Sequence, residues 1–307
     1  MASESSSPTA SKQPASFRWR RMAVFTGLLL VLFGANLLYA GVAARETLLT
    51  GEAGDLLYIE TFDEITDEWD LHQGQQRAKI LDGSLELSIS SPQTEFWSSA
   101  RQPRFADFDI TFQATALAGP VDNAFGIIFR LQDRDEQRCD LPAVILCGIE
   151  AAAPLVGALI RQVIEGKRTS YYAFLISSDG YYSLRKVENG GEQILSAWIA
   201  SPAVNQNLGS QNTIRAVGRG ADFQFYINGE PVPLCIPNQP GAISTYANGE
   251  CIEGRMQPAL HDDSLATGKL GVIAQTTPSG GGGLVVQFDK VMVFSPASQT
   301  ANGESRA

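Results

Sequence analysis

The chain has 307 residues, 44% of them hydrophobic, and a formal net charge of −10. That content supports a folded core, and the acidic balance excludes a nucleic-acid partner held by clustered Lys and Arg. Residues 1–44 hold four of the 23 basic groups and one of the 33 acidic groups, so the part beyond them has a net charge near −13.

Residues 1–21 open the chain. The first 16 are rich in Ser, Ala and Pro and lack apolar periodicity, which predicts a disordered tail. Residues 22–44 carry no charge and follow Arg18, Arg20 and Arg21. A run of this length spans a bilayer as a helix, and basic flanks stay on the cytoplasmic side. The expected arrangement is a single-pass signal anchor, with the N-terminus cytoplasmic and residues from Arg45 onward outside. A cleaved signal peptide is the alternative, because Val42 and Ala44 suit the small positions before a cut. Both readings export the rest. Gly27, Gly34 and Gly41 share one face of this helix, which suits close approach of a second membrane helix. Residues 45–55 read as a linker.

From residue 56 to 297 the pattern changes to short strands. They are predicted at Tyr58–Phe62, Ala78–Leu81, Ser84–Ser90, Phe96–Ala100, Phe108–Leu117 and Ala124–Gln132. Further strands are predicted at Ser170–Ser177, Tyr181–Glu188, Gln193–Ile199, Thr213–Val217, Asp222–Ile227, Lys269–Gln275 and Leu284–Phe294. In Ser84–Ser90, Leu85, Leu87 and Ile89 alternate with Glu86 and Ser88. Such period-two patterning gives sheets with one buried face. Asn228-Gly229 predicts a tight hairpin, and Ser178-Asp179-Gly180 a three-residue loop with Gly180 left-handed.

Two stretches interrupt the strands. Residues 133–168 contain Cys139 and Cys147 and a predicted helix, Pro154–Glu165, with an apolar stripe. Residues 231–267 contain Cys235 and Cys251. Four cysteines allow three connectivities; the local pairs Cys139–Cys147 and Cys235–Cys251 each close one insertion. Free thiols are the alternative. Zinc is disfavoured, because no C-x-x-C spacing occurs and the only histidines, His72 and His261, are far apart. Residues 298–307 read as a disordered tail.

The fold class that follows is all-β, with two packed antiparallel sheets and a short helical insertion. Within it, Phe225-Tyr226-Ile227-Asn228-Gly229-Glu230-Pro231-Val232 resembles the strand–turn–strand hairpin of concanavalin A-like lectin/glucanase (laminin-G-like) jelly rolls. Gly268-Lys269-Leu270-Gly271-Val272 is similar to the glycine-flanked strand of that superfamily. Phe288-Asp289-Lys290-Val291-Met292-Val293 resembles its closing strand, and Tyr58-Ile59-Glu60-Thr61-Phe62-Asp63 its opening one. The resemblance implies a jelly-roll sandwich. It leaves function open, since the superfamily hosts lectins, hydrolases and adhesion modules.

A retaining glucanase needs two carboxylates about 5–5.5 Å apart. The E-x-D-x-x-E strand of the superfamily's laminarinase-type members is absent. Asp63-Glu64-Ile65-Thr66-Asp67-Glu68 has the wrong spacing and reads as a solvated acidic loop. No nucleophile, zinc or phosphate-loop motif occurs. A binding site needs aromatics and hydrogen-bonding groups on an outward sheet face. Strand parity sends Tyr172, Phe174, Ile176, Tyr182 and Leu184 to the core. Tyr171, Tyr181, Arg130 and Arg185 then fall on the opposite face, as a candidate glycan or surface-protein site. These same residues would have no such role if the face is ordinary surface or is covered by the helical insertion. Trp97 and Trp198 read as core residues. The resemblance also implies a structural Ca²⁺ site where the first and last strands meet, at Glu60, Asp63 and Asp289.

The expected function is therefore a membrane-anchored, extracytoplasmic, non-catalytic binding module. A glycoside hydrolase-like enzyme and a structural subunit of a membrane assembly are the alternatives.

Overall fold

The computed structural model describes residues 25–27, 29–31, 33–35, 46–132, 169–278 and 283–297. The chain divides into two compact units: residues 1–45 with 137–165, and residues 46–136 with 166–307. In the first unit Phe25–Gly27, Leu29–Val31 and Phe33–Ala35 are helical. Among the described residues no helix is long and apolar enough to cross a membrane. Most of the predicted span 22–44 lies outside the described residues. So do the tails, Cys139, Cys147 and the Pro154–Glu165 helix.

The second unit is built from strands. In chain order these begin β1 Thr47–Leu49, β2 Leu56–Glu60, β3 Gln76–Leu81, β4 Ser84–Ile89, β5 Glu95–Ser99, β6 Pro103–Phe105 and β7 Phe108–Ala118. Then come β8 Ala124–Gln132, β9 Ser170–Ser177, β10 Tyr181–Glu188, β11 Gly191–Ala200, β12 Gln211–Arg219, β13 Asp222–Ile227 and β14 Glu230–Pro231. The chain continues with β15 Leu234–Pro237, β16 Thr245–Ala247, β17 Glu250–Ile252, β18 Gly254–Gln257, β19 Leu260–His261, β20 Lys269–Gln275 and β21 Leu284–Phe294.

Two antiparallel sheets form the sandwich. One has the order β11-β10-β9-β8-β20-β5. The other runs β14-β13-β12-β7-β21-β4-β3, with β2 also on β21 and β19 on β13. Neighbours such as β8 and β20 are far apart in sequence, as in a jelly roll. The core lies between the sheets. Phe125, Ile127 and Phe129 of β8 and Phe174 of β9 face Phe223 and Phe225 of β13, all buried. Phe174 stacks on Phe225 at 4.6 Å across the gap. Each such ring contributes about 1.5–3 kcal/mol through burial.

The hairpins form where expected. Asn228 and Gly229 adopt φ values of 53° and 86° between β13 and β14. Gly180 adopts 98° between β9 and β10, and Tyr182 pairs with Ile176.

Three features sharpen the sequence reading, and the second bears out its Cys235–Cys251 pair. The linker 45–55 is not free chain: β1 pairs in parallel with β6, from Thr47 opposite Pro103 to Leu49 opposite Phe105. The insertion 231–267 is ordered, with hairpin-like pairs β15–β18 and β16–β17 closed by the Cys235–Cys251 disulfide. Cys235 N–H also donates to Ser196 Oγ at 3.0 Å, which ties the insertion to β11. Finally, β8 bulges. The ladder to β9 shifts between Phe129 and Gln132, and Arg130 takes a φ of 50°. Gly268 packs flat on that bulge, where a Cβ would sit 2.2 Å from the Arg130 carbonyl carbon. Only glycine permits that approach.

Candidate functional site

The six-stranded sheet has a second apolar layer on the face turned away from the core. Ile128 of β8, Leu175 of β9 and Ile273 of β20 are fully buried there, with Trp97, Val187 and Trp198 packed against them. This face is therefore not a bare platform. Trp97 and Trp198 belong to it and not to the central core, which corrects their expected placement.

A polar cluster lies on this face. Tyr171 of β9 donates its hydroxyl to the Glu95 carboxyl of β5. The Trp97 and Tyr171 rings meet at 5.8 Å, tilted by 47°. Arg185 of β10 donates through Nη1 to Glu192 of β11 at 2.8 Å and to Gln275 of β20 at 2.9 Å. Its guanidinium lies 5.7 Å from the Trp198 ring. The Arg185 Nε–H is buried without a hydrogen-bond partner. Trp97, Trp198, Glu95 and Gln275 are half-buried, and Glu192 is exposed, so the cluster reaches solvent at its rim.

Burial pushes the Glu95 carboxyl above its ordinary range. The Tyr171 hydrogen bond pulls it back, Glu192 raises it again and Arg185 lowers it. Burial likewise raises the Tyr171 phenol, helped by the nearby carboxylate of Glu95. Tyr171 is thus a neutral donor and Glu95 a carboxyl biased toward its protonated form.

The structure brings Tyr171 and Arg185 into this cluster and separates the other two expected residues from it. Tyr181 is 40% exposed at the start of β10. Four strand residues put it roughly 13 Å from Arg185. Arg130 is on the other side of the sheet altogether. The bulge adds one residue, which inverts the face of every side chain after it. Leu131 takes the outward position, and Arg130 turns inward with 2% exposure. Its guanidinium donates to the carbonyls of Leu265 at 2.5 Å, Ala106 at 2.7 Å and Gly220 at 2.6 Å. Arg130 is a structural plug at the end of the core, not a ligand contact.

Glu95, Glu192 and Gln275 were not singled out from the sequence. Each is an unremarkable strand residue whose neighbours come from other strands. The period-two pattern could have assigned their face but not their company.

Two of the three expected Ca²⁺ ligands accept hydrogen bonds from nearby backbone N–H groups. Glu60 accepts the Phe62 N–H at 2.8 Å, and Asp289 accepts the Lys290 N–H at 2.6 Å. Among the described residues no group of three or more His, Cys, Asp or Glu side chains is placed to hold a metal ion. The loop from Asp63 to Glu68 is largely exposed, as an acidic solvated loop should be.

A second polar cluster seals the sandwich edge. Lys186 Nζ donates to Asp262 Oδ2 at 2.9 Å and Ser264 Oγ at 3.2 Å. Tyr172 OH donates to Asp262 Oδ1 at 2.7 Å. A Ser–Lys pair of this kind would need a neutral amine to activate the hydroxyl. Here the Lys186 amine pairs with the Asp262 carboxylate at 2.9 Å, and the Ser264 hydroxyl donates to that same carboxylate and not to a substrate-facing partner.

Comparison with solved structures was made on this architecture. A carbohydrate-binding module, CBM66 from Bacillus subtilis, aligns with a TM-score of 0.43 and 14% identity, over 74% of this chain and 96% of that one. A Bacillus subtilis protein of unknown function with a galectin-like fold aligns at 0.49 and 15%, over 80% and 97%. The β-glucanase of Bacillus licheniformis aligns at 0.42 and 9%, over 80% and 99%. No family model and no curated protein matches the chain. At these values the likeness concerns the sandwich and carries no argument about activity.

Proposed function

We propose that this chain is a membrane-anchored, extracytoplasmic module that binds glycan at the rim of the Arg185 cluster. The observation carrying this reading is the Arg185 guanidinium held 5.7 Å from the half-buried Trp198 ring by Glu192 and Gln275. An aromatic surface beside fixed charged and amide groups matches a sugar, which offers an apolar ring face and paired hydroxyls. The uncharged run 22–44, with exposed Phe25, Leu29, Leu30 and Val31, supports the anchor. The arginines before it support the orientation.

The test is a glycan-array screen of the full chain in detergent, with and without calcium. Binding that is lost in Arg185→Ala and kept in Tyr181→Ala supports the reading. No binding in either condition overturns it and favours a surface protein as ligand.

One observation favours a hydrolase. The Glu95 carboxyl is raised by burial and raised further by the charge of a second acid, Glu192, so the two carboxyls differ in environment. Release of reducing ends from β-glucans, abolished by Glu95→Gln, would replace the binding reading.

A further inference from the structure

We propose that the cleft between Tyr58 and Arg101 binds a small primary amine. The cleft encloses about 490 Å³, and its lining includes Leu49, Tyr58, Asp67, Glu68, Arg101 and Pro103. That volume lies in the range of small-molecule sites. It is separate from the Arg185 cluster and stands without the glycan reading.

The fold builds this cleft from three pieces. The parallel pair β1–β6 sets Thr47 opposite Pro103 and Leu49 opposite Phe105, so Leu49 and Pro103 both line the cleft, and Thr47 N–H donating to the Gln102 carbonyl at 2.9 Å fixes the pair. Strand β2 supplies Tyr58. The acidic loop supplies Asp67 and Glu68, and Arg101 N–H clamps it by donating to the Glu68 carbonyl at 2.8 Å. Tyr58 itself is oriented: its hydroxyl accepts from Trp69 Nε1 at 2.9 Å and lies 3.4 Å from Glu68 Oε2.

Charge selects the ligand. The Arg101 guanidinium is matched by Asp70, with Nε donating to Oδ1 at 2.9 Å. Asp67 and Glu68 are then the excess charges of the lining, so phosphates and carboxylates are repelled. An ammonium offers three donors and no acceptor, which suits two carboxylates beside an aromatic ring. A divalent metal ion is the poorer match, because among the described residues no third acidic or imidazole ligand joins the pair. Leu49 and Pro103 would take the apolar or ring body carrying the amine. That body is a sugar or an alkyl chain.

Saturation-transfer NMR on the full chain in detergent tests this with glucosamine, N-acetylglucosamine and n-butylamine. Glucosamine is expected to bind, and the Asp67→Asn/Glu68→Gln variant to weaken it by about tenfold or more. Arg185→Ala should leave it unchanged, which separates this site from the proposed glycan site. Binding of glucosamine alone assigns an amino sugar; binding of butylamine as well assigns the amine itself. N-Acetylglucosamine lacks the charge and should show no binding that depends on Asp67 and Glu68. Both carboxylates are exposed, so the amide variant should fold, and an unchanged melting temperature verifies it. Asp67→Asn alone gives a second, milder variant. Failure of both amines to bind, or binding that survives the double variant, overturns the proposal.

Discussion

The guanidinium of Arg130 lies 4.7 Å from the ring centre of Phe223, so a cation sits against the aromatic end of the sandwich core. Three backbone carbonyls from separate loops converge on the same group. The relationship explains why β8 bulges at this point. A regular strand would have turned the charge outward and left those carbonyls without a donor.

Arg130→Ala should therefore destabilise the fold by on the order of 3 kcal/mol, because buried acceptors are left unpaired. Arg130→Lys should recover only part of the loss, since an ammonium cannot reproduce the planar fork. The midpoint of urea unfolding reads both effects. Glycan binding per folded molecule should not change, which distinguishes a plug from a ligand contact.

Asp262 gives an acid-side signature. Its burial opposes ionisation, but hydrogen bonds from Ser264, Tyr172 and Lys186 outweigh that and bring its carboxyl down to about 2 from 3.8. The folded value lies below the unfolded one, so the stabilisation is present above pH 4 and is lost as pH falls toward 2. Its size is about 1–2 kcal/mol after solvent screening. Asp262→Asn should lower stability at pH 7 and converge on the parent near pH 2 in pH-dependent melting.

Glu95 gives the opposite sign. Its folded value is raised above 4.5 by burial, so folding favours the protonated form. Its contribution should diminish stability as pH rises from about 4.5 through the folded value. Glu95→Gln keeps an acceptor for Tyr171 and removes the charge. The variant should lack this pH dependence and match or exceed the parent in melting temperature at pH 8.

The disulfide closes a separation of 16 residues between Cys235 and Cys251. Constraint of the unfolded chain over such a loop contributes about 3 kcal/mol. Cys235→Ser/Cys251→Ser should lower the unfolding free energy by that order. Reductant added to the parent during unfolding should reproduce the loss. Intact mass after alkylation under native conditions should show Cys235 and Cys251 unmodified.

The sequence by itself determined the long strands of the two sheets, the tight turns and the class of fold. Leu85, Leu87 and Ile89 alternate because side chains on a strand alternate, and that rule is local. Asn228-Gly229 and Gly180 specify turns through their own backbone freedom. The strands β8, β9, β10, β13, β20 and β21 accordingly have the bounds read from the residues. Only the tertiary structure decided which strands are neighbours. Glu95, Tyr171, Arg185 and Gln275 meet because β5, β9, β10 and β20 lie in one sheet, and nothing in their local spacing encodes that order. It also decided the fate of Arg130. One extra residue in β8 inverts facing, and the demand for it comes from distant carbonyls at Ala106, Gly220 and Leu265. Periodicity reports on a strand's own geometry, whereas register and charge burial are settled by the partners that the fold supplies.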